Sequence, residues 1–440
     1  MTRGSTLTLG LILAAATAFM HTTAAQTPAR PAAQPAATGG TVVAITGARV
    51  LPASGPALER ATVIIRDGRI AAVAADAAVP DGARIIDGTG KVVTPGFIDS
   101  STQVGIVEIG LSADGTNDQR TTDPALGAAF SVLDAFNPHS TVIPVTRVEG
   151  VTRVLVLPGG TGHIFGGHGA VMDLGGAHVP ESVTRAPAAM LAMLGEAGAG
   201  LAGGSRAAAM LRLRETLEDA RDFGVNRQAF NAAQRRGYAR SRLDLEALQP
   251  VLKGEIPLAV HANRASDLLA AMRLAEEFKL RVVLFGAAEG WMVAEEIARR
   301  KVPVVLKPLT NLPAFDSLGA TLENAARLQA AGVTIAFSTF DTHNVRNLRQ
   351  EAGNAIAYGL DPAAALAAVT ITPARLWGVA ERVGSLEAGK DADVVVWSGD
   401  PFELLTSAEH VFIKGREIPH DTRQRQLFER YRDLKTMPRR

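Results

Sequence analysis

VVTPGFIDSSTQVG, residues 92–105, decides how this chain is read. Val92 to Ile98 is an apolar run of strand length, interrupted by Pro95 and Gly96, and it delivers an aspartate, two serines, a threonine and a glutamine at its end. The runs that follow have the same form: VTRVLVLPGG from Val151, PLAVHA from Pro257, RVVLFG from Arg281, VPVVLKP from Val302 and VTIAFST from Val333. Between them lie SDLLAAMRLAEEF and GWMVAEEIARR, with apolar residues three and four apart, the spacing of an amphipathic helix. Strand, helix, strand in this rhythm predicts parallel βα units, and so many in succession predict a barrel, although fewer than eight strands are clear. Residues 186–249, rich in Ala, Arg and Glu, read as an inserted helical excursion in which Ser205 is placed to cap a helix starting near Arg206.

Upstream of that stretch the pattern differs. TVVAITGARVL, ATVIIRDGRIAAV and ARIIDG are short β-rich runs, and Asp67-Gly68 between two of them is a hairpin signal. GSLEAGKDADVVVWSGDP and HVFIKGREI bring the sheet pattern back near the other end. The expected architecture is therefore α/β: a TIM-like (β/α) barrel over residues 91–382 and a small composite β-sandwich from residues 41–90 and 383–420. No repeat of fixed period is present.

The 440 residues are 47% hydrophobic, enough for a large core, and the net charge of +1 with 20% charged residues argues against a nucleic-acid partner. The basic end, residues 421–440, is interleaved with acids and reads as a solvated tail. Residues 1–25 have a cationic start, an apolar run and small residues suited to signal cleavage, so a periplasmic or secreted protein is expected, without a membrane span in its mature form. Residues 26–40, rich in Pro and Ala, read as a linker. The absence of cysteine excludes disulfides, thiolate metal sites and a cysteine nucleophile.

PGFID at 95–99, AVTITPARLWGV at 368–379 and GSLEAGKDADVVVW at 384–397, in that order, resemble the amidohydrolase superfamily, closest to its imidazolonepropionase-like and dipeptide-hydrolysing branches. The resemblance covers nearly all of the expected mature chain. It implies hydrolysis of carbon–nitrogen bonds other than peptide bonds, in cyclic amides or small peptide derivatives, by water on one or two divalent metals at the carboxyl ends of the barrel strands. Zinc, manganese or iron is the implied ion. The family's first strand ends in Asp-x-His-x-His, where this chain has Asp99, Ser101 and Gln103. The fifth-strand histidine is matched by His261, and the sixth-strand histidine falls at Phe285 or Gly286. The last-strand aspartate is matched by Asp341 or displaced by Phe340. His261 and Asp341 are thus the candidate metal ligands, and a catalytic zinc usually has three from the protein.

Three readings stay open on the residues themselves. His261, Asp341 and His343 are candidates for catalysis at a rebuilt centre, where a carboxylate orients an imidazole, or else they are a strand-end histidine and a helix cap. Arg264 and Lys307, just past strand ends, are candidates for binding a substrate carboxylate, Arg through its planar fork. The glycine-rich stretch at 159–169 lacks both the P-loop ending and the dinucleotide pattern, so His163 and His168 are either extra ligands or imidazoles on a turn. The partner is then a small-molecule substrate, or a ligand of a silent family member that forms a homo-oligomer or pairs with a homologous hydrolase. Convergence of the histidine loop on His261 favours a rebuilt centre; apolar side chains in the mouth favour the silent reading.

Overall fold

The structure, a computed structural model, describes residues 42–108, 117–123, 125–160, 162–234 and 236–432. The expected signal segment, the linker and the last residues of the tail lie outside these.

Five strands precede the barrel: β1 (Val43–Val50), β2 (Leu58–Arg66), β3 (Arg69–Ala74), β4 (Arg84–Asp87) and β5 (Val92–Pro95). The β2–β3 hairpin turns at Asp67 and Gly68, both at positive φ (51° and 78°), as an Asp-Gly turn demands. β14 (Val394–Trp397), β15 (Ala408–Ile413) and β16 (Arg416–Glu417), from the other end of the chain, complete the sheet in the order β16-β15-β14-β5-β1-β2-β3, with β4 also on β1. The two ends meet where β5 and β14 run antiparallel, Thr94 opposite Val395.

One residue, Gly96, separates β5 from the first barrel strand, β6 (Phe97–Thr102). A side chain there would put its Cβ 2.2 Å from the Thr152 hydroxyl, so only glycine lets the two sheets come this close. The barrel continues with β7 (Val151–Val156), β8 (Phe165–Asp173), β9 (Val183–Met193), β10 (Leu258–Ala262), β11 (Val282–Gly286), β12 (Val304–Leu306) and β13 (Ile335–Phe337). These eight strands are hydrogen-bonded in sequence order. All pairs are parallel except those of β8, which runs antiparallel to β7 and β9. Ile98, Leu155, Val171, Ala189, Ala259, Val283, Val305 and Ala336, one from each strand, form a single buried cluster, which requires the sheet to curl onto itself. The fold is a TIM-like barrel with a β-sandwich domain composed from both chain ends.

Two expectations are corrected. The glycine-rich stretch at 159–169 is not all loop: Phe165 to Gly169 belong to β8, where Gly167 (φ 110°) would place a Cβ 2.4 Å from the Phe130 carbonyl oxygen. The helical excursion also starts later than residue 186, because β9 runs to Met193; the helices are Gly195–Leu201, Arg206–Asn231, Arg242–Ala247 and Gln249–Leu252. Alanine and proline in β9 hide a strand that is buried for most of its second half. Ser205 is the N-cap residue of the long helix, without a side-chain capping bond.

The seam between barrel and small sheet carries a buried charge cluster. Arg153 on β7, 0% exposed, donates to Asp393 at 2.6 Å and Asp391 at 3.1 Å, and Phe97 stacks on Trp397 at 5.1 Å. Among the described residues no helix is long and apolar enough to cross a membrane. The C-terminal helix Arg423–Tyr431 buries none of its residues, in keeping with a solvated tail.

Candidate functional site at the barrel mouth

The parallel strands point their carboxyl ends at one mouth, where barrel enzymes place their chemistry. Asp99, within β6, is fully buried and accepts four hydrogen bonds: from Ser101 N at 2.9 Å, Ser338 Oγ at 2.7 Å, Thr339 N at 3.0 Å and Thr339 Oγ1 at 2.8 Å. Ser338 and Thr339 directly follow β13, so this carboxylate fastens the last strand to the first. Burial pushes the Asp99 carboxyl up against the pull of those donors.

His261 stands on β10 opposite Phe285 on β11. Burial lowers its pKa while the charge of Asp316 opposes the shift, so the imidazole is neutral at neutral pH. Phe340 leans edge-on against it, ring centroids 6.2 Å apart, and Phe340 meets Phe285 at 5.7 Å, which meets Trp377 at 5.8 Å. The strand end is thus occupied by a column of edge-packed rings, of which Phe285 and Trp377 are 1% and 0% exposed. Phe340 holds its place with φ of 45°, a backbone conformation that disfavours a large side chain and is kept by the packing around it.

Asp341, the next residue, is turned into a local cap. Its carboxylate accepts from His343 N at 2.8 Å, Asn344 N at 3.0 Å and Asn344 Nδ2 at 3.1 Å. Burial would raise its pKa, but these bonds and the charge of Lys307 outweigh it and hold the carboxyl below the usual range. His343 is exposed, with Nε2 at 2.9 Å from the Glu108 carbonyl oxygen, so the Asp341 carboxylate meets the His343 backbone rather than its ring. Arg264 is the N-cap residue of helix Ala265–Phe278, and its carbonyl receives the first amides of that helix. Lys307 follows β12 at the mouth, close enough for its charge to act on both Asp341 and Glu351. His261, Lys307 and Asp341 therefore belong to the mouth, while the Asp341–His343 acid–base pair is not formed.

The histidine loop does not converge on His261. His163 lines a separate cavity of about 240 Å³ with Arg212, Thr216 and Arg240, and burial first, then the Arg240 charge, lowers its pKa to about 4. His168 on β8 places Nε2 2.9 Å from the Ala247 carbonyl oxygen.

Residues 161–418, more than half of the chain, match the Amidohydrolase family. The chain belongs to the amidohydrolase family. The amidohydrolase of Thermotoga maritima MSB8 has a similar structure, with TM-score 0.78 and 29% identity over 86% of this chain and 99% of that one. Among curated proteins, an imidazolonepropionase of Aromatoleum aromaticum is 28% identical over 79% of this chain and 88% of its own length. Amidohydrolase tasK of Hapsidospora irregularis is 27% identical over 77% of this chain, which spans only 37% of that relative. Hydrolysis of carbon–nitrogen bonds, as in cyclic amides, is the chemistry of this family, and its members typically use a divalent metal.

The donor set of this amidohydrolase does not fit such an ion. By the resemblance, the first-strand histidine positions fall on Ser101 and Gln103 and the sixth-strand one on Phe285 or Gly286, none of them an imidazole, and the Phe340 ring packs against His261. Among the described residues no three His, Asp or Glu side chains come together as a metal site. Of the two candidate ligands, Asp341 spends its carboxylate on its own loop, leaving His261 without an anionic companion ligand.

Two features escaped the sequence reading. Glu351, 2% exposed on helix Leu348–Ala357, accepts Leu309 N at 2.7 Å, and burial raises its carboxyl to about 7. It shares a helix face with Leu348, Ala352 and Ala355, and an acid on an otherwise apolar face was the available signal. Arg206 binds Asp267 at 3.0 Å, Asp316 at 2.5 Å and Glu196 at 3.0 Å, tying the loop after β12 to the inserted helix and to the helix after β10. No motif announces that cluster, because Asp267 and Asp316 lie 61 and 110 positions from Arg206.

Proposed function

We propose that this chain is an amidohydrolase-family barrel whose usual hydrolytic centre is closed, and that it acts by binding, either a small ligand or an intact homologous hydrolase, rather than by metal-activated hydrolysis. The observation that carries this reading is Phe340, held at φ 45° and packed against His261 and Phe285 at the strand end where the resemblance puts the family's aspartate at Asp341 or at Phe340 itself. A metal-bound water requires imidazoles and carboxylates converging on one open coordination position. Here a ring occupies the space and hydroxyl and amide side chains stand in for imidazoles. The Asp99 carboxylate is taken up by four donors from Ser101, Ser338 and Thr339, which tie the first strand to the last.

A second reading, hydrolysis of cyclic amides at a rebuilt centre, is supported by the family match and by a neutral His261 under the influence of Asp316. A neutral imidazole within reach of a carboxylate's charge is suited to accept a proton from water. Export to the periplasm by a cleaved signal is part of the proposal and rests on the amino-terminal pattern alone.

The test is elemental mass spectrometry of the purified mature protein and of a His261→Ala, Asp341→Ala variant, with turnover of a cyclic-amide panel measured with and without added zinc, manganese or iron. Background metal and no turnover are expected. Stoichiometric metal that disappears in the variant, or turnover abolished by His261→Ala, would overturn the proposal.

A further inference from the structure

A second cleft lies at the opposite end of the barrel, where the strands begin. Helix Val142–Arg147 ends just before β7, β8 ends just before Leu174 and Gly175, and the β15–β16 turn of the small sheet reaches over to them. Together they bound a cleft of about 390 Å³, lined among others by His139, Ser140, Ile143, Arg147, Gly176 and Arg416. This is within the range of sites that take small organic ligands.

Its two arginines are placed unusually. Arg147 Nη1 donates to the Leu174 carbonyl at 3.1 Å, and Arg416 Nη2 donates to the next carbonyl, that of Gly175. Anchored on consecutive peptides, the two guanidiniums are near enough to repel: Arg147 is held below the usual arginine range by burial first and by the charge of Arg416 second. Among the described residues neither forms an ion pair with a carboxylate, and Arg147 Nε is enclosed without a hydrogen-bond partner. The nearby acids are engaged elsewhere. Glu417 lines the cleft but pairs with Arg84 at 2.5 Å and His410 at 2.7 Å, Asp173 accepts Gly175 N at 3.0 Å and pairs with Lys414 at 2.5 Å, and Glu181, which feels Arg416, accepts Ala177 N at 3.0 Å.

Two like charges side by side in a cleft, Arg147 half-buried and Arg416 exposed, cost free energy that an anion between them lowers. The planar fork of each guanidinium suits a pair of oxygens on one centre, and the summed charge suits a dianion. We propose that this cleft binds a phosphate-class dianion between Arg147 and Arg416, as free phosphate or as the phosphoryl group of a small phosphomonoester. The site is independent of the barrel mouth and of what the mouth does.

Isothermal titration of the whole chain with inorganic phosphate and, separately, with glycerol 3-phosphate, at ionic strength fixed by chloride, tests this. One-to-one binding is expected, unchanged in the remote surface variant Arg49→Gln. Arg416→Gln keeps a donor for the Gly175 carbonyl but loses the charge, and it weakens binding about tenfold or more, as does Arg147→Gln. Tighter binding of glycerol 3-phosphate identifies a phosphomonoester as the occupant, and tighter binding of phosphate identifies the free ion. No saturable heat with either anion, or equal affinity in the wild type and in an Arg416→Gln chain that melts like it, would overturn the proposal.

Discussion

Glu351 offers a test of the electrostatics under the barrel mouth. Its carboxyl is raised from 4.5 to about 7 by burial, with the Leu309 amide and the Lys307 charge opposing the rise. The unfolded chain ionises this group near its ordinary value, whereas the folded chain keeps it protonated until about pH 7. Between those values unfolding releases a proton, so rising pH favours unfolding. The contribution is most favourable below pH 4.5, declines through the window, and levels off above about 7. At 1.36 kcal/mol per pK unit the whole decline is about 3 kcal/mol. Glu351→Gln keeps an oxygen for the Leu309 amide and cannot ionise. It is expected to unfold at the same urea concentration as wild type at pH 4, and to be more stable by about 3 kcal/mol at pH 8. Urea unfolding at pH 4, 6 and 8, with Glu323→Gln as an exposed control, measures this. Were Lys307 and Glu351 instead a stabilising ion pair, Glu351→Gln would lose stability at pH 8, and the burial argument would be wrong.

Arg153→Met leaves Asp393 buried without its cation and is expected to cost about 3–5 kcal/mol in urea unfolding, most of it recovered when Asp391→Asn and Asp393→Asn are added. An unrecovered loss would assign the effect to packing rather than charge. Ser101→His, Gln103→His and Phe340→Asp combined restore imidazoles and a carboxylate around His261, and this triple variant should take up zinc by elemental analysis where Phe340→Asp alone does not. Failure of the refolded triple variant to bind zinc would show that backbone placement, not side-chain identity, closes the mouth. Arg206→Ala releases Asp316 and should speed proteolytic cutting within residues 310–320, where Phe315 is 95% exposed, while changing global stability by less than about 1 kcal/mol because the arginine is partly solvated. Unchanged cutting would mean that Glu289, which accepts Gly319 N at 2.9 Å, holds the loop unaided.

Local chemistry made much of this legible beforehand. Apolar runs such as PLAVHA and RVVLFG became β10 and β11, and the Asp67-Gly68 turn formed its hairpin, because strand length and turn geometry depend on residues adjacent in the chain. The family signatures likewise named the barrel and the composite sheet, and His261 fell where the resemblance placed it, at a strand end in the mouth. The strand at 183–193 was hidden because alanine and proline carry little β signal, and its burial comes from neighbours far away in sequence.

The site depended on such neighbours even more. A sequence can state that Asp341 follows Phe340, but not which of them faces His261. That was decided by backbone rotation at φ 45° and by the space beside Phe285, which together turn the ring inward and leave the carboxylate to the amides of His343 and Asn344. Nor does sequence bring Arg147 beside Arg416, 269 positions apart by their numbering, or Asp99 beside Thr339. Residue types set which groups can hydrogen-bond or carry charge. Only chain closure sets which of them share a space, and burial there fixes their protonation, as it does for Glu351 and His261.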